Sequence, residues 1–132
     1  MRATLLGLSA VLLLALFGLV RADELWVIAH PEITLSPADI KEVYLGEKQF
    51  GGSIKLQPVD NAASQQAFLS LVLGMTGARY RSSWLKKSFR DALNPPVELP
   101  GDAAVLSFVQ RTPGAVGYVR TKPAGVVVVE KY

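Results

Sequence analysis

Pro113-Gly114-Ala115-Val116-Gly117-Tyr118-Val119 reads as a tight turn feeding a strand, and this stretch anchors the reading of the whole chain. Pro113-Gly114 carries the turn chemistry, with glycine supplying the backbone shape. Val116 and Tyr118 are of the β-branched and aromatic types that favour strands, and the Val126 to Val129 run supplies a second closing strand. Just upstream, Gly101-Asp102 opens a helix that buries Val105, Phe108 and Val109, and Thr112-Pro113-Gly114 ends it.

Further out, Leu25 to Ala29 is a short apolar run with charge before it and His30-Pro31 after it, which fits a buried strand. Ser36-Pro37-Ala38-Asp39 predicts a helix start, with Ser36 as N-cap, Pro37 at the first helical position and Asp39 three residues on. Ile40, Val43 and Tyr44 then share a face, and Gly46 stops the helix. Phe50-Gly51-Gly52-Ser53 turns the chain into a strand over 54–59. Asp60 or Asn61 is placed to cap the next helix, whose Phe68, Leu71, Val72 and Met75 recur at the spacing of one buried stripe, with Gly74 or Gly77 ending it.

A third helix is expected over about 78–89. It carries the i, i+4 pairs Tyr80 with Trp84 and Leu85 with Phe89, amid Arg79, Arg81, Lys86, Lys87 and Arg90. Trp84 and Phe89 read as core anchors, and the basic cluster as a solvated helix face or one that draws an anion, an acidic partner or a membrane surface. Asn94-Pro95-Pro96 cannot continue a helix, so an extended loop runs to Gly101. Strand, helix, strand, three helices and closing strands make an α/β layer sandwich.

The first 22 residues read as an export signal: Arg2, an apolar run from Leu5 to Val20, then small-residue cleavage geometry at Val20-Arg21-Ala22. An uncleaved anchor is the alternative, since the run approaches the roughly 18 residues of a membrane span. No Cys follows to receive a lipid. Residues 23–132 are then the folded domain, exported, with no disulfide to help it. Without Arg2 and Arg21 the net charge of +3 falls to about +1, so no concentrated basic footprint calls for nucleic acid.

Val43-Tyr44-Leu45-Gly46, the Trp84 and Phe89 pair, Pro95-Pro96 and the 113–119 stretch, in that order and spacing, resemble the small phosphate-binding-protein-like family of bacterial periplasmic proteins. These are single-lobe relatives of the substrate-binding proteins of phosphate ABC transporters. The resemblance implies one lobe of the type II periplasmic-binding-protein fold, a mixed sheet flanked by helices. It also implies phosphate or another oxyanion as ligand, held on backbone amides at helix N-termini, where the first-turn N–H groups lack intrahelical partners.

The relatives' anion loop, an Arg before Asp-Gly-Ser-Gly-Thr with a Phe four residues further on, falls on residues 58–64 and Phe68. Asp60 and Phe68 match, and Ser64 keeps a hydroxyl where the family has Thr. Pro58 stands in place of the Arg, Asn61 and Ala63 in place of the glycines, and Ala62 in place of the Ser. The candidate ligand-binding residues are therefore Asp60, Asn61, Ser64 and Ser36, each of which serves equally well as an ordinary helix cap. A single lobe presents an open half-site, so a second lobe would come from a dimer mate or another protein.

Catalysis is not expected. His30 is the only histidine and there is no Cys, which leaves no zinc set. No Gly-x-Ser-x-Gly elbow occurs. No cofactor is implied. The two readings that remain are a solute-binding or sensing component working with a transporter or sensor protein, and a lobe that has lost its ligand and serves as an interaction module.

Overall fold

A computed structural model describes residues 24–132; the expected export signal lies outside them. Along the chain come β1 (Trp26–Ala29), α1 (Asp39–Tyr44), β2 (Phe50–Gly51), β3 (Ile54–Lys55) and β4 (Gln57–Asn61). Then follow α2 (Gln65–Phe68), which runs into a π-helical stretch (Leu69–Leu73), α3 (Gly77–Asp91), β5 (Val97–Leu99), α4 (Asp102–Arg111), β6 (Ala115–Val119) and β7 (Val127–Lys131). Five strands form a mixed sheet in the order β5-β4-β6-β1-β7. β4 runs parallel to β5 and β6, whereas β1 is antiparallel to β6 and β7. This is the expected α/β architecture, a mixed sheet with helices against it. Among the described residues no helix is long and apolar enough to cross a membrane.

The 113–119 stretch sits at the centre of that sheet, and all five residues of β6 are buried. Gly114 makes the turn possible: its φ of +86° lies in the left-handed region, and a Cβ there would collide with the Lys55 carbonyl oxygen. Gly117 lets α4 approach, because a Cβ at that position would lie 2.5 Å from Val105 Cγ1. Val105 and Val109 thereby pack with Ile28, Val59 and Val119 on one face of the sheet. On the other face a larger core gathers Tyr44, Phe68, Leu69, Trp84 and Tyr118.

Residues from three of the four sequence strings, Tyr44, Trp84 and Tyr118, meet in this second core. Tyr118 stacks flat on Phe68 with ring centroids 3.9 Å apart, and Tyr44 tilts against Phe68 at 4.6 Å. The Tyr44 hydroxyl donates to the carbonyls of Val59 and Val116, which ties α1 to β4 and β6. Trp84 Nε1 donates to the Tyr44 carbonyl, and Lys87 Nζ to that of Leu45. Tyr44, Trp84 and Tyr118, each from a string that carries the family resemblance, are thus packing residues.

Several local expectations are corrected. α1 begins at Asp39 rather than after Ser36, and the Ser36 hydroxyl caps nothing. The reciprocal half of a capping box is present instead, with the Ser36 N–H donating to Asp39 Oδ2 at 2.8 Å. The strand expected over 54–59 is two strands, because β3 folds back on β2 while β4 joins the main sheet. Asp60 and Asn61 end β4 and do not cap a helix; Ser64 occupies the N-cap position, without a side-chain capping bond. Part of the supposed loop after Pro96 is β5, paired with β4. Phe89 is 84 % exposed and Leu71 is 49 % exposed, so neither is a core anchor.

Candidate functional site

β4 delivers Asp60 and Asn61 to the end of the sheet, and the turn that follows places Ser64 at the start of the helical segment 65–73. All three side chains are buried, with Asp60 2 %, Asn61 0 % and Ser64 4 % exposed. The sequence expectation therefore brings three of its four residues together. Ser36 is exposed, and its hydrogen bonds go to Asp39.

Asp60 accepts from the Tyr118 hydroxyl on Oδ1 and from the Tyr80 hydroxyl on Oδ2, both at 2.8 Å. Burial pushes its pKa above the usual carboxylate range, the two tyrosine bonds pull it partly back, and Glu98 nearby adds repulsion. Both tyrosine pKa values are driven up in turn, first by burial and then by the Asp60 charge. The hydroxyls therefore stay protonated and remain donors.

Asn61 is engaged on every side of its amide. Its Nδ2 donates to Asp102 Oδ1 at 2.8 Å and to the Tyr118 carbonyl at 3.0 Å, while Oδ1 accepts from the Ala63 N–H at 3.1 Å. Asp102 completes the fastening, because its Oδ2 accepts from the N–H groups of Arg120 and Thr121. The ends of β4 and β6 and the start of α4 are thus pinned together through one carboxylate. Ser64 differs. Its Oγ is buried and has no hydrogen-bond partner among the described residues, the condition a bound polar group would relieve.

A cavity of about 400 Å³ opens beside Asp60, bordered by Gln65, Tyr80, Arg81, Trp84 and Glu98. A second hollow, lined by Gln65, Gln66, Thr76, Gly77 and Arg81, adjoins the start of the 65–73 segment. Arg81 and Gln65 line both hollows, whereas Pro58 stands where the resembling family has its arginine. Among the described residues no group of three or more His, Cys, Asp or Glu side chains could hold a metal ion.

Tyr80, Tyr118 and Asp102 were not legible as partners of this site. Tyr80 lies 20 residues and Tyr118 lies 58 residues from Asp60, and Asp102 lies 41 residues from Asn61. Two buried tyrosines near one strand-end aspartate are a pattern only the fold assembles.

No protein family matches the sequence, and no curated protein does either. Among solved structures the fold matches that of PstS from Borrelia burgdorferi, with a TM-score of 0.52 and 18% identity over 72% of this chain and 39% of that one. An ABC-type phosphate transport receptor from Vibrio cholerae gives a TM-score of 0.49 and 12% identity over 84% of this chain and 50% of its own. The chain thus spans half or less of the length of these two proteins. The likeness to PstS, at this identity, shows a shared fold, a mixed sheet flanked by helices.

Proposed function

We propose that this chain is a periplasmic, non-catalytic solute-binding domain that takes an oxyanion of the phosphate class at the turn between β4 and the 65–73 helical segment. The observation that carries the reading is Ser64 Oγ, buried at the N-cap position with no partner among the described residues. A tetrahedral oxyanion would accept from that hydroxyl and from N–H groups of the first helical turn, whose dipole favours negative charge. Arg81 adds a cation at the rim. The fold shared with PstS supports the reading, and the export signal read in residues 1–22 supports the compartment. A lone lobe leaves the anion half open, so a dimer mate, a transporter or a sensor protein would close over it.

One observation favours the second reading, a ligand-free interaction module. The side chains of Asp60 and Asn61 are consumed by internal hydrogen bonds and have little to offer a ligand. Titrating phosphate and then sulfate while following backbone amide shifts separates the two. Saturable shifts at residues 61–66 that vanish in Ser64→Ala support oxyanion binding. No response at millimolar anion leaves the interaction module standing.

A further inference from the structure

Helix α3 is apolar on two sides. At about 3.6 residues per turn, Tyr80 and Trp84 point into the core and are buried. Leu85 and Phe89 lie on the opposite side, 61 % and 84 % exposed, in one line with exposed Ala78 and Ser82. Exposed cationic side chains border that line on both flanks: Arg81 on one, and Arg79, Lys86 and Arg90 on the other. Lys87 is not among them, since it turns inward to the Leu45 carbonyl and lies over the Trp84 ring. The helix carries a single acidic residue, Asp91, which pairs with Arg90 at 3.0 Å.

We propose that this outer face of α3 docks on an anionic lipid surface, with Phe89 and Leu85 dipping into the headgroup boundary and the flanking cations resting among lipid phosphates. Charge complementarity selects an anionic occupant and argues against a second copy of the same basic face. The small apolar extent selects a bilayer over a protein. The face offers two large exposed apolar side chains, of which Leu85 also borders the cavity beside Asp60, whereas a stable protein interface needs about 1,000 Å² of complementary surface. A bilayer requires only shallow apolar insertion together with several basic groups at the surface. Arg81 also lines the hollows beside the proposed oxyanion site, so the variants below leave Arg81 unchanged and their outcome does not depend on that site.

The test is co-sedimentation of the full chain with phosphatidylcholine vesicles, with and without phosphatidylglycerol. Pure phosphatidylcholine reports whatever the apolar residues 5–20 contribute, so the excess binding to mixed vesicles is the quantity read. That excess should fall about tenfold or more in Lys86→Glu/Arg90→Glu, and by a similar factor at molar salt. Leu85→Ser/Phe89→Ser should lower it to a comparable extent without shifting the thermal midpoint, because both side chains are exposed. Equal binding to the two vesicle types, or variants that bind like the wild type, would overturn the proposal. Failure on vesicles combined with capture of an acidic peptide by the same residues would overturn it in favour of a protein partner.

Discussion

The Tyr118 hydroxyl reaches Asp60 Oδ1 at 2.8 Å, joining the central strand of the sheet to the buried carboxylate at the end of its neighbour. The Tyr118 ring lies flat on Phe68, so the same residue holds the core by its face and the candidate site by its edge. Tyr80 on Oδ2 brings α3 to the same carboxylate.

Replacing Tyr118 with Phe keeps the stacked ring and removes only the hydroxyl. The buried Oδ1 then loses its donor, and a hydrogen bond to a charged group is worth about 1.5–3 kcal/mol. A loss of about 2 kcal/mol is expected in equilibrium denaturant unfolding, with an unchanged m-value. A loss below about 0.5 kcal/mol would mean that water or another donor replaces the tyrosine.

Asp60 also sets a pH dependence. Its folded pKa is raised, chiefly by burial, above an unfolded value of about 3.9. Between those two values the native state binds more protons than the unfolded one, so this residue's contribution to stability falls as pH rises through the window and is flat above it. Asp39 has the opposite sign: the Ser36 amide holds its pKa low, so its contribution is lost as pH falls. Subtracting the stability of Asp60→Asn from that of the wild type across the acid range isolates Asp60. The difference should decrease with rising pH, and an increase would refute the assignment.

Ser64→Ala should leave stability unchanged or raise it by up to about 1 kcal/mol, because a buried hydroxyl without a partner is only a desolvation cost. Thermal and denaturant unfolding check this apart from any ligand. A clear destabilisation would mean that the hydroxyl is bonded within the folded chain, which would remove the main support for an oxyanion site.

Gly117→Ala should cost about 1–3 kcal/mol by overpacking, since the new methyl meets Val105 and Val109 on α4. Combined with Val105→Ala, the pair should be less destabilised than the sum of the single changes, because truncating Val105 makes room that the new methyl at position 117 fills. Strict additivity in a double-mutant cycle would show that the two positions do not share that space. Gly114→Ala should be worse, because the obstacle there is the Lys55 backbone carbonyl and the φ is positive.

Much of the fold was legible because its causes are local. The turn at Pro113-Gly114, the stop at Gly74 with its φ of +62° and the buried β6 run follow from residue types and periodicity over a few positions. Phe89 misled because an i, i+4 apolar pair on a helix looks the same whether it faces core or solvent. The strand over 54–59 misled because pairing partners, not propensity, decided where β3 ended and β4 began.

By itself the sequence determined the α/β class and most of the element order, since hydrophobic period and turn chemistry act between near neighbours, and it marked Asp60, Asn61 and Ser64 as candidates. Only the tertiary structure decided what those residues do. It set Tyr80 and Tyr118 on Asp60, locked Asn61 to Asp102, left Ser64 Oγ without a partner among the described residues and turned Phe89 outward. Hydrogen bonds and burial across tens of residues depend on which surfaces the sheet order brings together, and short-range patterns do not encode that order.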